Sequence, residues 1–149
     1  MDDTETNLLR LENQVCFALA TASRSVNAVY RPLLEPLGLT HPQYLALLAL
    51  WESSPRSVRE LGQELQLEPA TLSPLLKRLE TAGLVTRQRS TSDERVLDIS
   101  LTEKGAALRT QAELIPPQVI DRLGMDVSEL EALRNSLQRV IGAVKAQSA

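Results

Sequence analysis

The stretch from Ser57 to Leu101 has the pattern of two short helices followed by a hairpin, and it restricts the possible folds more than any other part of the chain. Ser57 is followed three residues later by Glu60, which is the spacing of a helix-capping box. Pro69 suits the first turn of a second helix, and Gly83 is well placed to end that helix. Two short helices joined by a tight turn are typical of a helix-turn-helix.

The second of these helices is predicted to be amphipathic. Its leucines recur at the three- and four-residue spacing of a buried face, at Leu72, Leu75, Leu76 and Leu79. The other side carries small, hydroxylic or cationic residues, which let a helix lie close to the major groove and reach phosphates. The candidate DNA contacts on this helix are Ala70, Thr71, Ser73, Pro74, Lys77 and Arg78. An ordinary surface helix is the alternative, and Pro74 inside the pattern allows a later start at Ser73.

Residues 84–89 and 96–101 alternate in part like two β-strands, and the polar run 90–95 separates them. This pattern predicts a β-hairpin wing. Five basic and three acidic residues lie between Thr71 and Arg95, a net charge of +2, whereas the whole chain carries −3. A positive segment in an acidic protein concentrates its attraction for nucleic acid there. The candidate DNA contacts of the wing are Arg87, Arg89, Asp93 and Arg95. A solvated hairpin with ordinary charges is the alternative.

The rest of the chain reads as helix. Only four of the 149 residues are aromatic, so the core must consist mostly of Leu, Ala and Val, as in mainly α proteins. Apolar residues recur at helical spacing from about Glu5 to Tyr30 and again from Asp126 to Val144. These terminal stripes have no obvious partner within the DNA unit, which predicts a two-fold homodimer with interlocking terminal helices. A monomer that folds the helices back on itself is the alternative.

The expected fold class is therefore mainly α, a winged helix-turn-helix with a small β-hairpin wing and an N- and C-terminal helical dimerisation region. We expect a single domain over residues 1–149, with the DNA-binding unit at 57–101 and the dimerisation helices at 1–37 and 103–149.

Several classes of protein are disfavoured by what the sequence lacks. The acidic first ten residues are unlike a secretory signal, and no apolar run approaches the ~20 residues of a membrane span. One cysteine cannot form an intramolecular disulfide, and no His/Cys cluster has the spacing of a zinc site. We therefore expect a cytoplasmic protein with no metal, cofactor or membrane partner.

The DNA unit, with Asp93-Glu94-Arg95 and the run from Ser100 to Gly105, resembles the MarR family of winged-helix regulators. Residues 11–19 and 42–48 resemble its branch of organic hydroperoxide resistance regulators, and the likeness covers about residues 8 to 122. The resemblance implies a dimeric repressor on a pseudo-palindromic double-stranded DNA operator. It also implies release of that operator when organic hydroperoxides oxidise one reactive cysteine, which by position is Cys16.

The resemblance further implies that two aromatic hydroxyls of the partner subunit support the thiolate of Cys16. Tyr30 occupies one of these positions, and His41 occupies the other, where family members often carry tyrosine. Ala20 replaces a tyrosine found in some relatives, and the second, resolving cysteine of others is absent. The sulfenic acid would then form a mixed disulfide with a low-molecular-weight thiol or become overoxidised.

Other readings of the same residues stay open. A lone cysteine on a helix is more often buried and inert. If Cys16 is incidental, the chain would be a MarR-type regulator released by a small aromatic ligand in the groove beside the dimerisation helices. A one-cysteine peroxidase is a third possibility, but we find no general base paired to a hydroxyl, no Gly-rich phosphate loop and no metal spacing, so we expect no enzyme.

Overall fold

The computed structural model describes residues 8–148. Within them the chain forms two compact units, and the boundary lies between Glu113 and Leu114. The first unit comprises α1 (Val15–Leu34), α2 (His41–Glu52), β1 (Arg56–Ser57), α3 (Val58–Leu65), α4 (Pro69–Thr81), β2 (Val85–Arg89), β3 (Leu97–Leu101) and α5 (Glu103–Ala112). The second comprises α6 (Ile115–Leu123) and α7 (Val127–Ser148). The predicted mainly α class with a small wing is confirmed.

The first long helix begins later than the sequence pattern predicts. Residues 5–7 lie outside the described part of the chain, and residues Leu11–Asn13 form a 3-10 turn. Gln14 is extended, and its side-chain amide donates to the carbonyls of Leu8 and Arg10, which competes with helical pairing. One continuous helix from Glu5 is therefore wrong over this turn. At its other end α1 runs past Tyr30, through Pro32, to Leu34.

The predicted helix-turn-helix is confirmed. The Ser57 hydroxyl accepts a hydrogen bond of 3.0 Å from the backbone N–H of Glu60, so it caps α3 as expected. Helix α4 begins at Pro69 rather than at Ser73, because Pro74 removes one backbone donor without ending the helix. The chain reverses after α4 at Gly83, whose φ of 77° is a conformation that favours glycine.

The core of the first unit lies where α2, α3 and α4 pack on one another and on the sheet. The four leucines of the predicted buried face of α4 are all buried, as are Leu61 of α3 and Leu47 of α2. Each such side chain contributes about 1.5–3 kcal/mol when it leaves water. This packing fixes the opposite face of α4 toward solvent.

The sheet has three antiparallel strands in the order β1-β3-β2, one more than the sequence predicts. The wing hairpin pairs Val85 with Leu101 at its base and Arg89 with Leu97 near its tip. The additional strand β1 has only two residues, Arg56 and Ser57, too few for an alternating pattern to reveal it.

A dense junction joins the start of α5 to the DNA unit. The Thr102 hydroxyl caps α5 by accepting from the N–H of Gly105, and it donates to the carbonyl of Gly83 at 2.6 Å. The indole N–H of Trp51 donates to the carbonyl of Gly105 at 2.9 Å. A Cβ added at Gly105 would overlap the carbonyl oxygen of Leu84, so this approach requires glycine.

In the second unit, Pro116 and Pro117 occupy the first turn of α6, where a missing backbone N–H costs nothing. Gly124 in the left-handed region ends that helix. The Asp126 carboxylate accepts from the hydroxyl of Ser128 and from the N–H of Glu129, and these bonds lower the pKa of Asp126; the second of them caps α7. Across residues 8–148, no helix is both long enough and apolar enough for a membrane span.

Candidate functional site

The outer face of α4 presents the predicted contact residues together. Opposite the buried leucines, six side chains are exposed, namely Ala70, Thr71, Ser73, Pro74, Lys77 and Arg78. Small residues near the start of the helix allow close approach to a groove, and the two cations follow one turn later. This face can therefore lie against DNA without moving any core residue.

The wing places one arginine at its tip. The side chain of Arg95 is 91% exposed, and its Nε lies 3.2 Å from Oδ1 of Asp93. The same carboxylate oxygen accepts from the backbone N–H of Arg95 at 3.0 Å, so Asp93 orders the tip. Arg89 is used differently, because it donates to the backbone carbonyl of Glu94 at 2.7 Å and closes the loop.

Arg87 is turned toward the protein rather than outward. Its Nε and Nη2 each lie 3.2 Å from a carboxylate oxygen of Glu80, near the end of α4. From the sequence, Arg87 was grouped with the candidate DNA contacts, and Glu80 entered only the local net charge. A carboxylate seven residues before an arginine, across a helix-to-strand turn, was the available signal.

The second candidate site is a cluster of three rings between α1 and α2. The ring centroids of Tyr30 and His41 are 4.4 Å apart, and the centroid of Tyr44 lies 5.8 Å from Tyr30 and 6.3 Å from His41. Tyr44 is buried, and its spacing of three from His41 on one helix places the two rings on a shared face.

Burial perturbs all three rings of this cluster. It raises the pKa of Tyr30 and Tyr44, and repulsion from Tyr30 adds to the effect at Tyr44. It lowers the pKa of His41 from 6.5. All three therefore stay neutral at pH 7, and each neutral side chain can donate a hydrogen bond.

Cys16 is exposed on α1 and does not meet the ring cluster within one protomer. Tyr30 is fourteen positions after Cys16 on this helix, which is about 21 Å along the axis. Large apolar side chains around the cysteine are exposed as well, including Val15 (68%) and Phe17 (46%). The exposed surface of α1 is thus of the kind that a partner normally covers.

The single histidine of the chain permits a pH test. Because the pKa of folded His41 is lowered, unfolded chains take up its proton first as the pH falls. The contribution of His41 to the free energy of unfolding should have its full value above about pH 6.5. It should decrease as the pH falls from there toward the pKa of His41 in the folded protein. Melting temperatures between about pH 5.5 and 7.5 measure this, and His41→Phe should flatten the dependence. A native melting temperature that rises on acidification through this window would contradict it.

A cavity of about 450 Å³ lies beside the rings. It is lined by Asn27, Arg31, Leu34, Glu35, Leu39, Thr40, His41 and Pro42. The described residues contain no group of three or more His, Cys, Asp or Glu side chains placed to hold a metal ion.

The fold, the exposed face of α4 and the ordered wing tip define a winged-helix DNA-binding regulator. The MarR family profile matches residues 39–97, and the organic hydroperoxide resistance transcriptional regulator of Bacillus subtilis (strain 168) is 44% identical over 89% of this chain and 90% of its own length. The chain belongs to the MarR family. It is a transcriptional regulator and not an enzyme.

Solved structures of other proteins share the fold of this chain. Reduced AbfR bound to DNA and overoxidised AbfR bound to DNA each match with a TM-score of 0.77 and 34% identity, over 94% of this chain and 98% of that one. Disulfide-formed AbfR is also 34% identical, over 98% and 97% of the two chains, but its TM-score is 0.65. CouR from Rhodococcus jostii RHA1, bound to p-coumaroyl-CoA, has a TM-score of 0.77 and 27% identity, over 89% and 94% of the two chains.

Proposed function

We propose that the protein is a dimeric repressor that releases its operator when an organic hydroperoxide oxidises Cys16. The observation that carries this proposal is the exposed Cys16 on the apolar surface of α1, in a chain 44% identical to an organic hydroperoxide resistance regulator. Residues 1–37 and 103–149 would form the dimerisation region, and residues 57–101 would bind DNA.

The spacing along α1 supports a site shared between two subunits. Cys16 and Tyr30 each lie seven residues from Ser23, and the three residues fall within about 40° around the helix. If two copies of α1 cross antiparallel about a two-fold axis at Ser23, each Cys16 meets the partner's Tyr30. Ala20 and Asn27 are exposed and would flank this axis, and their short side chains would let the two copies of α1 approach closely.

In such a dimer the ring cluster would supply the donors for Cys16. The sulfur lies in the first turn of α1, where the unpaired backbone N–H groups favour an anion, and hydrogen bonds from Tyr30 and His41 of the other subunit would add to the stabilisation of the thiolate. Because burial keeps His41 neutral, it can donate one N–H and adds no positive charge.

The reaction has two balanced steps. The Cys16 thiol and a hydroperoxide ROOH give a sulfenic acid and the alcohol ROH, so the sulfur is oxidised as the O–O bond breaks. A small cellular thiol then attacks the sulfenic sulfur, which gives a mixed disulfide and water. The chain has no second cysteine to form the disulfide internally.

The second step is the better candidate for the switch. AbfR has been crystallised on DNA in its overoxidised form, whereas the disulfide-formed molecule is less similar to this chain, with TM-scores of 0.77 and 0.65. A thiol adduct also adds far more volume than oxygen atoms do, and packed interfaces lose about 1–3 kcal/mol on even small overpacking. We therefore assign release to thiolation of Cys16.

On DNA, the dimer would place its two α4 helices in successive major grooves, about 34–36 Å apart, on a pseudo-palindrome. A change in the angle between the subunits spoils this spacing, and one half-site is then lost.

The test of this proposal uses a labelled operator selected from a random duplex pool. Reduced protein should bind it as a dimer, and organic hydroperoxide with a thiol should release it. Binding by a stable monomer, or binding indifferent to peroxide, would contradict the proposal.

Tyr30→Phe should slow oxidation of Cys16 about tenfold, because a hydrogen bond to a charged group contributes about 1.5–3 kcal/mol. Binding of the reduced protein to DNA should not change, since the ring stays in place. Peroxide-induced release is followed by fluorescence anisotropy, with His41→Phe tested in the same way. Unchanged release kinetics in both variants would mean that other groups activate the cysteine.

Arg95→Ala should weaken operator binding and reduce the salt dependence by about one unit per protomer, because it removes a guanidinium from the wing tip. We expect Arg95 to enter a narrow, A·T-rich minor groove. Anisotropy titrations at several salt concentrations measure both quantities. If affinity and slope both stay at their native values, the wing tip lies away from the DNA.

A ligand-driven regulator is the second candidate, and the 450 Å³ cavity beside His41 favours it. Its lining combines Arg31 with apolar Leu34, Leu39 and Pro42, which suits a small aromatic acid. Under this candidate Arg31→Ala would abolish release by the ligand, whereas Cys16→Ser would leave that release intact.

A further inference from the structure

We propose that Glu80 is a positioning residue for DNA binding, which holds the wing at its angle to α4 through Arg87. Arg87 is then a structural brace and not a DNA contact. This inference rests on DNA binding by α4 and the wing, and it is independent of Cys16 chemistry.

The geometry of the pair is that of a forked ion pair. Nε and Nη2 of Arg87 reach different carboxylate oxygens of Glu80, both at 3.2 Å. Two parallel bonds fix the orientation of both groups, which a single point contact does not do. The side chains are 29% and 37% exposed, so the pair is only partly screened by water.

The register of the sheet explains why Arg87 points at the helix. Val85 and Arg87 lie two residues apart on β2 and therefore share a face, and Val85 is 1% exposed. Arg87 is paired across the ladder with Ile99, which is fully buried. The guanidinium thus leaves the strand on the core side, beside α4.

The pair joins the two elements that must contact DNA together. Glu80 is on the last turn of α4, and Arg87 is at the middle of β2, with the reversal at Gly83 between them. The base of the hairpin is held by packing of Leu84 and Val85, whereas the Glu80–Arg87 pair links α4 to the middle of β2 through side chains. Without it the wing can swing away from the position that suits both grooves.

This assignment divides the wing cations by role. Arg87 braces the wing on α4, Arg89 closes the loop through the carbonyl of Glu94, and Arg95 is exposed at the tip. Only a cation that neutralises a phosphate or enters a groove contributes to the salt dependence of binding.

The test compares operator affinity and salt slope for reduced protein. Glu80→Ala and Arg87→Ala should each weaken binding, roughly 2- to 20-fold, and the double variant should be no weaker than either one. The salt slope should match the native value in all three. The direction of the affinity change in Glu80→Ala is informative. If only net charge mattered, loss of an acid near DNA would strengthen binding, whereas loss of a positioning residue weakens it.

Glu94→Gln is the matched control. Like the Glu80 variants it removes an acid near the DNA-binding surface, here from the wing, but the backbone carbonyl of residue 94, which accepts from Arg89, is retained. It should bind as tightly as the native protein or more tightly. The reversed pair, Glu80→Arg with Arg87→Glu, should regain part of the affinity lost in the single variants.

Circular dichroism melts confirm that each variant is folded at the assay temperature, and Glu80→Gln replaces Glu80→Ala if the latter is not. Binding by the Glu80 variant that is as tight as native, or a salt slope lowered by about one unit per protomer in Arg87→Ala, would overturn the proposal. Titration of the native protein tests operator binding itself, and peroxide is absent throughout, so the redox proposal is tested separately.

Discussion

Cys16→Ser protein is expected to remain on its operator at hydroperoxide and thiol concentrations that release the native protein. Serine keeps the shape of the side chain but forms neither a sulfenic acid nor a disulfide, so binding of the reduced state should match the native protein. A coupling of about 1–3 kcal/mol corresponds to about a 5- to 150-fold loss of affinity in the oxidised native protein. Anisotropy on a labelled operator measures this difference.

The control for this experiment is the same variant without peroxide. If Cys16→Ser already binds the operator weakly without peroxide, the thiol has a packing role in the dimer. If the variant is released as readily as the native protein, redox sensing by Cys16 is contradicted, and the ligand-driven candidate takes its place.

Gly105→Ala should lower the free energy of unfolding by about 3 kcal/mol, the upper part of the range for overpacking. The added Cβ overlaps the backbone carbonyl of Leu84, and backbone cannot rotate aside as a flexible side chain does. The same residue accepts the indole N–H of Trp51, so movement here also disturbs α2. The melting temperature should fall by about 6–12 °C.

Gly142→Ala is the matched substitution, since nothing lies within 4 Å of a Cβ at that position in α7. It should leave stability unchanged or raise it by up to about 1 kcal/mol, because alanine favours a helix interior. Circular dichroism melts compare the two variants. Equal melting temperatures for Gly105→Ala and the native protein would show that the start of α5 accommodates a Cβ beside Leu84, which would contradict this prediction.

The parts of the fold that could be predicted from the sequence are those marked by a repeating apolar pattern or by a capping residue at a fixed spacing. The leucines of α4 repeat over several turns, and Ser57 with Glu60 marks the start of α3 by a bond between fixed positions. The break at Gln14 was missed because glutamine is an ordinary helix residue, and only its side-chain bonds to nearby carbonyls reveal it. Strand β1 was missed because two residues carry no period.

At the candidate sites, sequence predicts which residue types gather but not what each side chain contacts. Arg87, Arg89 and Arg95 belong to one short hairpin and have the same chemistry. Their partners differ because strand register turns Arg87 toward Glu80 and leaves Arg95 at the tip. In the same way, Cys16 and Tyr30 share a helix face, yet about 21 Å of helix separates them, so only a second subunit could bring them together.

Release of the operator by thiolation of Cys16 is tested most directly by intact-mass spectrometry and anisotropy on the same samples. Protein on labelled operator is treated with an organic hydroperoxide and a graded amount of small thiol, and both readings are taken at each point. The released fraction should follow the fraction of chains that carry one thiol adduct, and overoxidised chains without an adduct should be released less. Release from chains whose Cys16 is unmodified, or full thiolation with the operator still bound, would contradict it.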